Sequence, residues 1–75
     1  MHKIGIIGAA GIVGSAVAYT LLERSLAEEL VLSDVNTNAL KSHVLDLQFS
    51  GVFHPNCSVR AGSYAEMKDS DLIII

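Results

Sequence analysis

The sequence is poor in the residues that mark several large classes of protein. It has a single cysteine, Cys57, and no apolar run near the roughly 20 residues that a membrane-spanning helix needs. A lone cysteine excludes an internal disulfide and favours a reducing compartment, the cytoplasm. Charged residues make up only 17% of the chain and the net charge is −3, which gives no electrostatic basis for binding nucleic acid or an anionic membrane. No basic stretch followed by a long apolar one opens the chain, so we expect no secretory signal.

Side chains suited to acid–base catalysis are also scarce. The three histidines are His2, before the first predicted strand, His43, one step off the apolar face of a predicted helix, and His54, beside a proline in a predicted loop. No group of cysteine, histidine and carboxylate residues has the spacing of a metal site. We therefore expect neither a catalytic residue nor a metal site within these 75 residues.

Apolar residues, in contrast, are abundant at 51%, and their pattern predicts one small domain of buried strands alternating with helices. The predicted order is β-α-β-α-β-(α)-β, which favours a parallel sheet. Strands are predicted at 3–8, 29–34, 58–62 and 71–75, helices at 12–25 and 37–48, and a short helix or turn at 63–70. Because the last predicted strand ends the chain on bare apolar residues, we expect a fragment of a longer protein.

Each long helix has one predicted apolar face. In the first helix the face consists of residues four apart, Val13, Val17 and Leu21. In the second helix it consists of residues four and then three apart, Leu40, Val44 and Leu47. Asn36 or Asn38 is the predicted N-cap of the second helix.

The stretch "GIIGAAGIVG" lies where the first strand turns into the first helix. Gly8, Gly11 and Gly14 follow a G-x-x-G-x-x-G spacing, which departs from G-x-G-x-x-G because Ala9 stands two residues before Gly11. A strand-to-helix turn presents free backbone N–H groups and the positive end of a helix dipole, and glycines allow a phosphate to approach closely. The turn therefore predicts a site for the pyrophosphate of a dinucleotide.

Asp34 strengthens this prediction, because it ends the second strand 20 residues after Gly14. A carboxylate at that position accepts hydrogen bonds from ribose hydroxyls and repels a 2′-phosphate. The segment "DVNTN" that follows contains no arginine or lysine to offset the repulsion. NAD is thus favoured over NADP.

The whole segment resembles the amino-terminal part of the lactate/malate dehydrogenase family. The resemblance rests on "KIGIIGAAGIVGSAVAYTLL", "LAEELVLSDVN", "VLDLQ" and "AGSYAEMKDSDLIII". It implies a Rossmann-type, doubly wound parallel α/β sheet, of which residues 1–75 form the incomplete β-α-β-α-β-β beginning. It also implies that the rest of this dinucleotide-binding domain, and a substrate domain, lie outside the chain.

The resemblance further implies contacts to NAD. Gly8, Gly11 and Gly14 match the glycines of the family's turn, and Asp34 matches its ribose acid. Positions whose backbone meets the pyrophosphate correspond to Ile12 and Val13, and a position near the adenine corresponds to Tyr64. Lactate-type members often have a lysine five residues after the acid; Ala39 stands there in this chain and removes one cofactor contact.

For the whole protein, the resemblance implies hydride transfer between NAD and a small 2-hydroxy or 2-oxo acid, with the catalytic residues beyond Ile75. "GAAG" is similar to malate-type spacing, whereas the longer stretches favour lactate-type members. The helix that contains "VLDLQ" contributes to a subunit interface in the family, which implies a homodimer or homotetramer. Two alternatives stay open: an extended short-chain dehydrogenase or sugar-nucleotide epimerase, for which "GAAGxxGS" is also typical, and a non-catalytic NAD-binding module.

Overall fold

The computed structural model describes residues 2–50 and 56–75, with Ser50 described in its backbone only. Within them the predicted strands and helices all form, with small changes at their ends. The elements are β1 (Lys3–Ile7), α1 (Ile12–Glu23), β2 (Glu29–Ser33), α2 (Thr37–Ser50), β3 (Ser58–Ala61), the 3₁₀ turn Tyr64–Met67 and β4 (Leu72–Ile74).

The four strands form one parallel sheet in the order β3-β2-β1-β4. Ile4 of β1 is in register with Leu30 of β2 and Leu72 of β4, and Leu30 is in register with Val59 of β3. This confirms the predicted parallel α/β sheet. Since parallel strands end at the same edge, the residues that follow β1 and β2 lie side by side.

Both helices pack on one face of this sheet. The alternating strand residues of that face form the core with buried residues of the helices: Ile4, Ile6, Leu30, Leu32 and Val59 with Ala18, Leu22, Leu40, Val44 and Leu47. The 3₁₀ turn covers part of the other face, where a Cβ at Gly5 would meet the Met67 Sδ at 2.9 Å. The two central strands are therefore buried on both sides, as the apolar composition predicts.

The predicted apolar face of α1 is correct in part, because Val17 and Leu21 pack against the core whereas Val13 is exposed. Val13 is 76% exposed and Val17 and Leu21 are half-buried, whereas Ala18 and Leu22 are fully buried. Gly14 lacks a side chain at the start of α1 because a Cβ there would clash with the Gly8 carbonyl oxygen of the preceding turn. The helix also ends at Glu23, two residues earlier than predicted, and Ser25 beyond it adopts a φ of 54°.

The predicted apolar face and N-cap of α2 are confirmed, and the helix extends two residues beyond the predicted end at Gln48. Leu40, Val44 and Leu47 are 6–7% exposed, and the Asn36 Oδ1 caps the helix by accepting a hydrogen bond from the Ala39 N–H at 3.1 Å. Residues 51–55 of the predicted loop, His54 among them, lie outside the described residues. Among the helices that the structure describes, none has the length and apolar character to cross a membrane.

Candidate nucleotide-binding site

The glycine turn, residues 8–14, joins β1 to α1 and is fastened to the end of β2. Gly8 has a φ of 81°, a left-handed conformation that glycine adopts without strain. The N–H groups of Gly8 and Ala9 both donate to the Ser33 carbonyl, at 2.9 and 3.1 Å, and the Gly11 N–H donates to the Gly8 carbonyl at 3.1 Å. The chain therefore turns sharply at the edge of the sheet.

Gly14 and Gly11 lack side chains for different reasons. A Cβ on Gly14 would lie 2.5 Å from the Gly8 carbonyl oxygen, so the approach of α1 to the turn requires glycine. A Cβ on Gly11 would meet only that same oxygen within 4 Å, at an ordinary contact distance of 3.4 Å. The Gly11 φ of −74° suits any residue. The fold does not need glycine at position 11, and its absent side chain leaves space beside the helix.

The first turn of α1 faces an open cleft of about 540 Å³. Gly11, the N-cap residue, offers no side-chain hydrogen bond, and the first turn contains no acidic residue, so the positive end of the helix dipole is not offset locally. The lining brings together five predicted site residues, Gly8, Gly11, Ile12, Val13 and Gly14, with apolar side chains of β1, α1 and the end of β4. This arrangement suits an anion.

Asp34 lies just after β2 and is bound to the glycine turn. Its Oδ2 accepts a hydrogen bond from the Ala10 N–H at 2.9 Å, and its Oδ1 accepts one from the Asn36 N–H at 2.9 Å. The bond from Asn36 and then that from Ala10 hold the pKa of the Asp34 carboxyl below its usual value. Asp34 is therefore ionised at neutral pH.

A second cavity, of about 680 Å³, opens beside Asp34 between α2 and the segment after β3. Apolar residues such as Leu40 and Val44 line it, together with the polar residues Ser33, Asp34, Thr37, Lys41, Ser63 and Glu66. Lys41 falls outside "DVNTN", but it shares a helix face with Thr37 because the two are four residues apart. Although the segment directly after Asp34 contains no cation, a lysine therefore lines the cavity at Asp34.

Glu66, which lines this second cavity, belongs to an ion-pair network that the sequence did not predict. Arg60 Nη2 lies 3.0 Å from the Glu29 carboxylate, and Arg60 also pairs with Glu66. The Glu66 Oε1 accepts a hydrogen bond from the Ser63 N–H at 3.0 Å, and this bond, followed by Arg60, lowers the pKa of the Glu66 carboxyl. The S-x-x-E spacing of a capping box was the available sequence signal.

Tyr64 begins the 3₁₀ turn, next to Ser63, and is 63% exposed. Ser63 and Glu66 line the second cavity, whereas Tyr64 is absent from the described linings of this cavity and of the glycine cleft. Its contact with adenine stays a prediction. Among the described residues, no three of His, Cys, Asp and Glu are grouped so that they could hold a metal ion.

Comparison with protein families matches residues 2–75 to the family model described as "lactate/malate dehydrogenase, NAD binding domain". Among curated proteins, the L-lactate dehydrogenase of Clostridium perfringens is 40% identical over 74 residues, which are 99% of this chain and 23% of that protein. The L-lactate dehydrogenase of Halalkalibacterium halodurans is 40% identical over 75 residues, 99% of this chain and 24% of that protein. The chain thus spans about a quarter of the length of these relatives.

Two solved structures have the same fold. A lactate dehydrogenase, MGS-M5, from a Medee basin deep-sea metagenome library superposes with a TM-score of 0.88 and 33% identity. The minor L-lactate dehydrogenase from Enterococcus mundtii, in a ligands-bound form, superposes with a TM-score of 0.88 and 37% identity. Each match covers 96% of this chain and 23% of the other chain.

Proposed function

Because this chain belongs to the lactate/malate dehydrogenase family, we propose that it supplies NAD binding to an NAD-dependent L-2-hydroxy acid dehydrogenase. The matched family model is an NAD-binding domain, so NAD is the cofactor of this segment. The substrate proposed for the whole protein is L-lactate, with pyruvate as its oxidised partner, because the relatives named above are L-lactate dehydrogenases. Malate is the less favoured substrate, since only the "GAAG" spacing supports it.

The described residues suit NAD. The cleft at the start of α1 would take the pyrophosphate, with the N–H groups of Ile12 and Val13 directed at its oxygens. Asp34 would accept hydrogen bonds from the hydroxyls of the adenosine ribose. Its carboxylate has free lone pairs for them, because the two backbone N–H groups occupy only part of its acceptor capacity. NAD, when bound, supplies the nicotinamide ring that exchanges a hydride with the substrate carbon.

Gly11 carries this proposal. Neither its backbone angles nor its neighbours require glycine, yet Gly11 lines the cleft beside the helix N-terminus. Close approach of a phosphate to the backbone is the remaining physical reason for a glycine at such a position. The geometry therefore supports a dinucleotide more directly than it supports a turn built for packing alone.

Substitution of Gly11 by alanine in the full-length protein tests the proposal. Gly11→Ala should weaken NAD binding roughly tenfold or more, because the methyl group displaces the pyrophosphate from its N–H donors. The melting temperature should stay within a few degrees of the parent, since the added Cβ makes only an ordinary contact. Isothermal titration calorimetry and thermal melting measure the two quantities.

Gly14→Ala is the matched variant, one helical turn away. Its Cβ would clash with the Gly8 carbonyl oxygen, so it should lower the free energy of unfolding by about 1–3 kcal/mol. A Gly11→Ala protein that binds NAD as tightly as the parent would contradict the proposal. The opposite pattern, in which Gly11→Ala unfolds the protein, would show that the glycine serves packing.

Two other functions are less well supported. A short-chain dehydrogenase or epimerase is not favoured, because the matched family model is that of lactate and malate dehydrogenases. A non-catalytic NAD-binding module would retain every feature of the site described above. Assays of the full-length protein with pyruvate and NADH distinguish this module from the proposed enzyme.

We also propose that the full-length protein is a homodimer or homotetramer in which α2 lies at a subunit interface. Leu45 and Phe49, four residues apart on α2, are 50% and 77% exposed, which is unusual for large apolar side chains side by side. The single Cys57 supports a cytoplasmic location, as a lone thiol suits a reducing compartment.

A further inference from the structure

Three successive N–H groups of the glycine turn bind the end of β2. Those of Gly8 and Ala9 donate to the Ser33 carbonyl, and that of Ala10 donates to the Asp34 Oδ2 at 2.9 Å. In the described part of the chain, Asp34 is the side chain outside the turn that accepts a hydrogen bond from one of its N–H groups, whereas the Ser15 hydroxyl of α1 donates to the Gly11 and Ile12 carbonyls. Asp34 is itself held in place by the Asn36 N–H at 2.9 Å, just before α2 begins.

From this geometry we propose that Asp34 is also a positioning residue for the pyrophosphate turn. Its carboxylate fixes the Ala10 peptide and thereby orients the N–H groups that follow before any ligand arrives. The two roles are compatible, because a carboxylate has about four acceptor sites and two backbone N–H groups leave the others for ribose. This inference rests on the proposed function of the site, and it assigns to Asp34 an effect on a part of NAD that it does not touch.

Charge and positioning predict opposite effects on a ligand that has phosphates but no ribose. The Asp34 carboxylate repels a nearby anion, so removal of the carboxylate should strengthen phosphate binding if charge alone matters. If Asp34 also orders the turn, its removal should weaken phosphate binding, because each N–H donor must then be ordered at the moment of binding. The sign of the change therefore separates the two roles.

The test measures the affinity of inorganic pyrophosphate for the ligand-free, full-length protein by competition with NAD. Asp34→Ala should weaken pyrophosphate binding by about fivefold or more, as expected for the loss of a charge-assisted hydrogen bond that orders the site. Asp34→Asn keeps one acceptor oxygen and should fall between the parent and Asp34→Ala. Asn36→Ala is the matched control, because it removes the side-chain cap of α2 but keeps both backbone donors to Asp34.

Amide hydrogen exchange of the same ligand-free proteins gives a second readout. Asp34→Ala should speed exchange across residues 11–14, and Asn36→Ala should leave that segment unchanged. Pyrophosphate binding as tight as the parent's, or tighter, in both Asp34 variants, together with unchanged exchange, overturns the positioning role. A parent protein that binds no NAD would instead refute the proposed function, while the exchange of residues 11–14 would still decide the role of Asp34.

Discussion

Asp34 and Lys41 line the same cavity with opposite charges, and their balance bears on the choice between NAD and NADP. Asp34 would attract the ribose hydroxyls of NAD and repel the 2′-phosphate of NADP, whereas Lys41 would attract that phosphate. Of the two side chains, Asp34 is the one that contacts the glycine turn, since its carboxylate accepts a hydrogen bond from the Ala10 N–H. The preference for NAD should therefore depend on this one carboxylate.

Asp34→Ala in the full-length protein should weaken NAD binding and shift the NADP to NAD affinity ratio toward NADP by roughly tenfold. The shift should shrink when Lys41→Gln is added, because the double variant has lost the cation that would attract the 2′-phosphate. Lys68→Gln, on an exposed lysine beyond the 3₁₀ turn, is the matched control and should have no effect. Titration of each variant with both cofactors measures the ratio. An unchanged ratio in Asp34→Ala would show that the acid does not select the cofactor.

At the scale of the helices, the sequence predicted α2 better than α1. The face of α2 carries large apolar residues, so Leu40, Val44 and Leu47 could be identified from their spacing alone. The stripe of α1 that meets the sheet runs through Gly14, Ala18 and Leu22, and two of these three residues are small. A pattern of hydrophobicity misses Gly14, because the close approach of α1 to the Gly8 carbonyl oxygen, rather than apolar volume, requires glycine there.

Contacts between elements show the same limit. The turn, the positions of its glycines and the nearness of Asp34 were predictable from spacing, because local backbone geometry sets them. The bond from the Ala10 N–H to Asp34 was not, because any residue at position 10 offers the same N–H and the partner lies 24 residues along the chain. Nor does spacing show that Lys41 and Glu66 line one cavity, since that depends on how α2 packs beside β3.

The outward face of α2 gives a prediction for the assembly. If α2 lies at a subunit interface, Phe49→Ser combined with Leu45→Ser should dissociate the full-length protein into smaller oligomers or monomers. The assembly would lose the stabilisation that comes from burying two large apolar side chains. Sedimentation velocity measures the change in mass. Leu26→Ser is the matched control on an exposed leucine away from α2, 54% exposed, and should leave the assembly intact. An unchanged mass in the double α2 variant would place the interface elsewhere.

At the scale of the whole molecule, the sheet edge that holds the site is well separated from one of the described histidines. The His2 carbonyl accepts hydrogen bonds from the N–H groups of Glu28 and Glu29, so His2 lies where β1 and β2 begin, opposite the glycine turn. His43 is on α2, outside the described lining of the glycine cleft. In the described part of the chain, no imidazole lines the glycine cleft, where we propose that the pyrophosphate of NAD binds.

The 75-residue chain expressed alone should consequently reduce neither pyruvate nor oxaloacetate with NADH. Hydride transfer to a 2-oxo acid needs a positioned proton donor and a group that orients the carboxylate of the substrate, and the cleft is lined by glycine and apolar residues. Absorbance at the NADH band measures turnover, and circular dichroism with NADH titration establishes that the chain is folded and binds cofactor. The full-length protein serves as the positive control. Turnover by the folded 75-residue chain would contradict this prediction. It would show that one of the chain's own residues, outside the lining of the glycine cleft, acts as the proton donor.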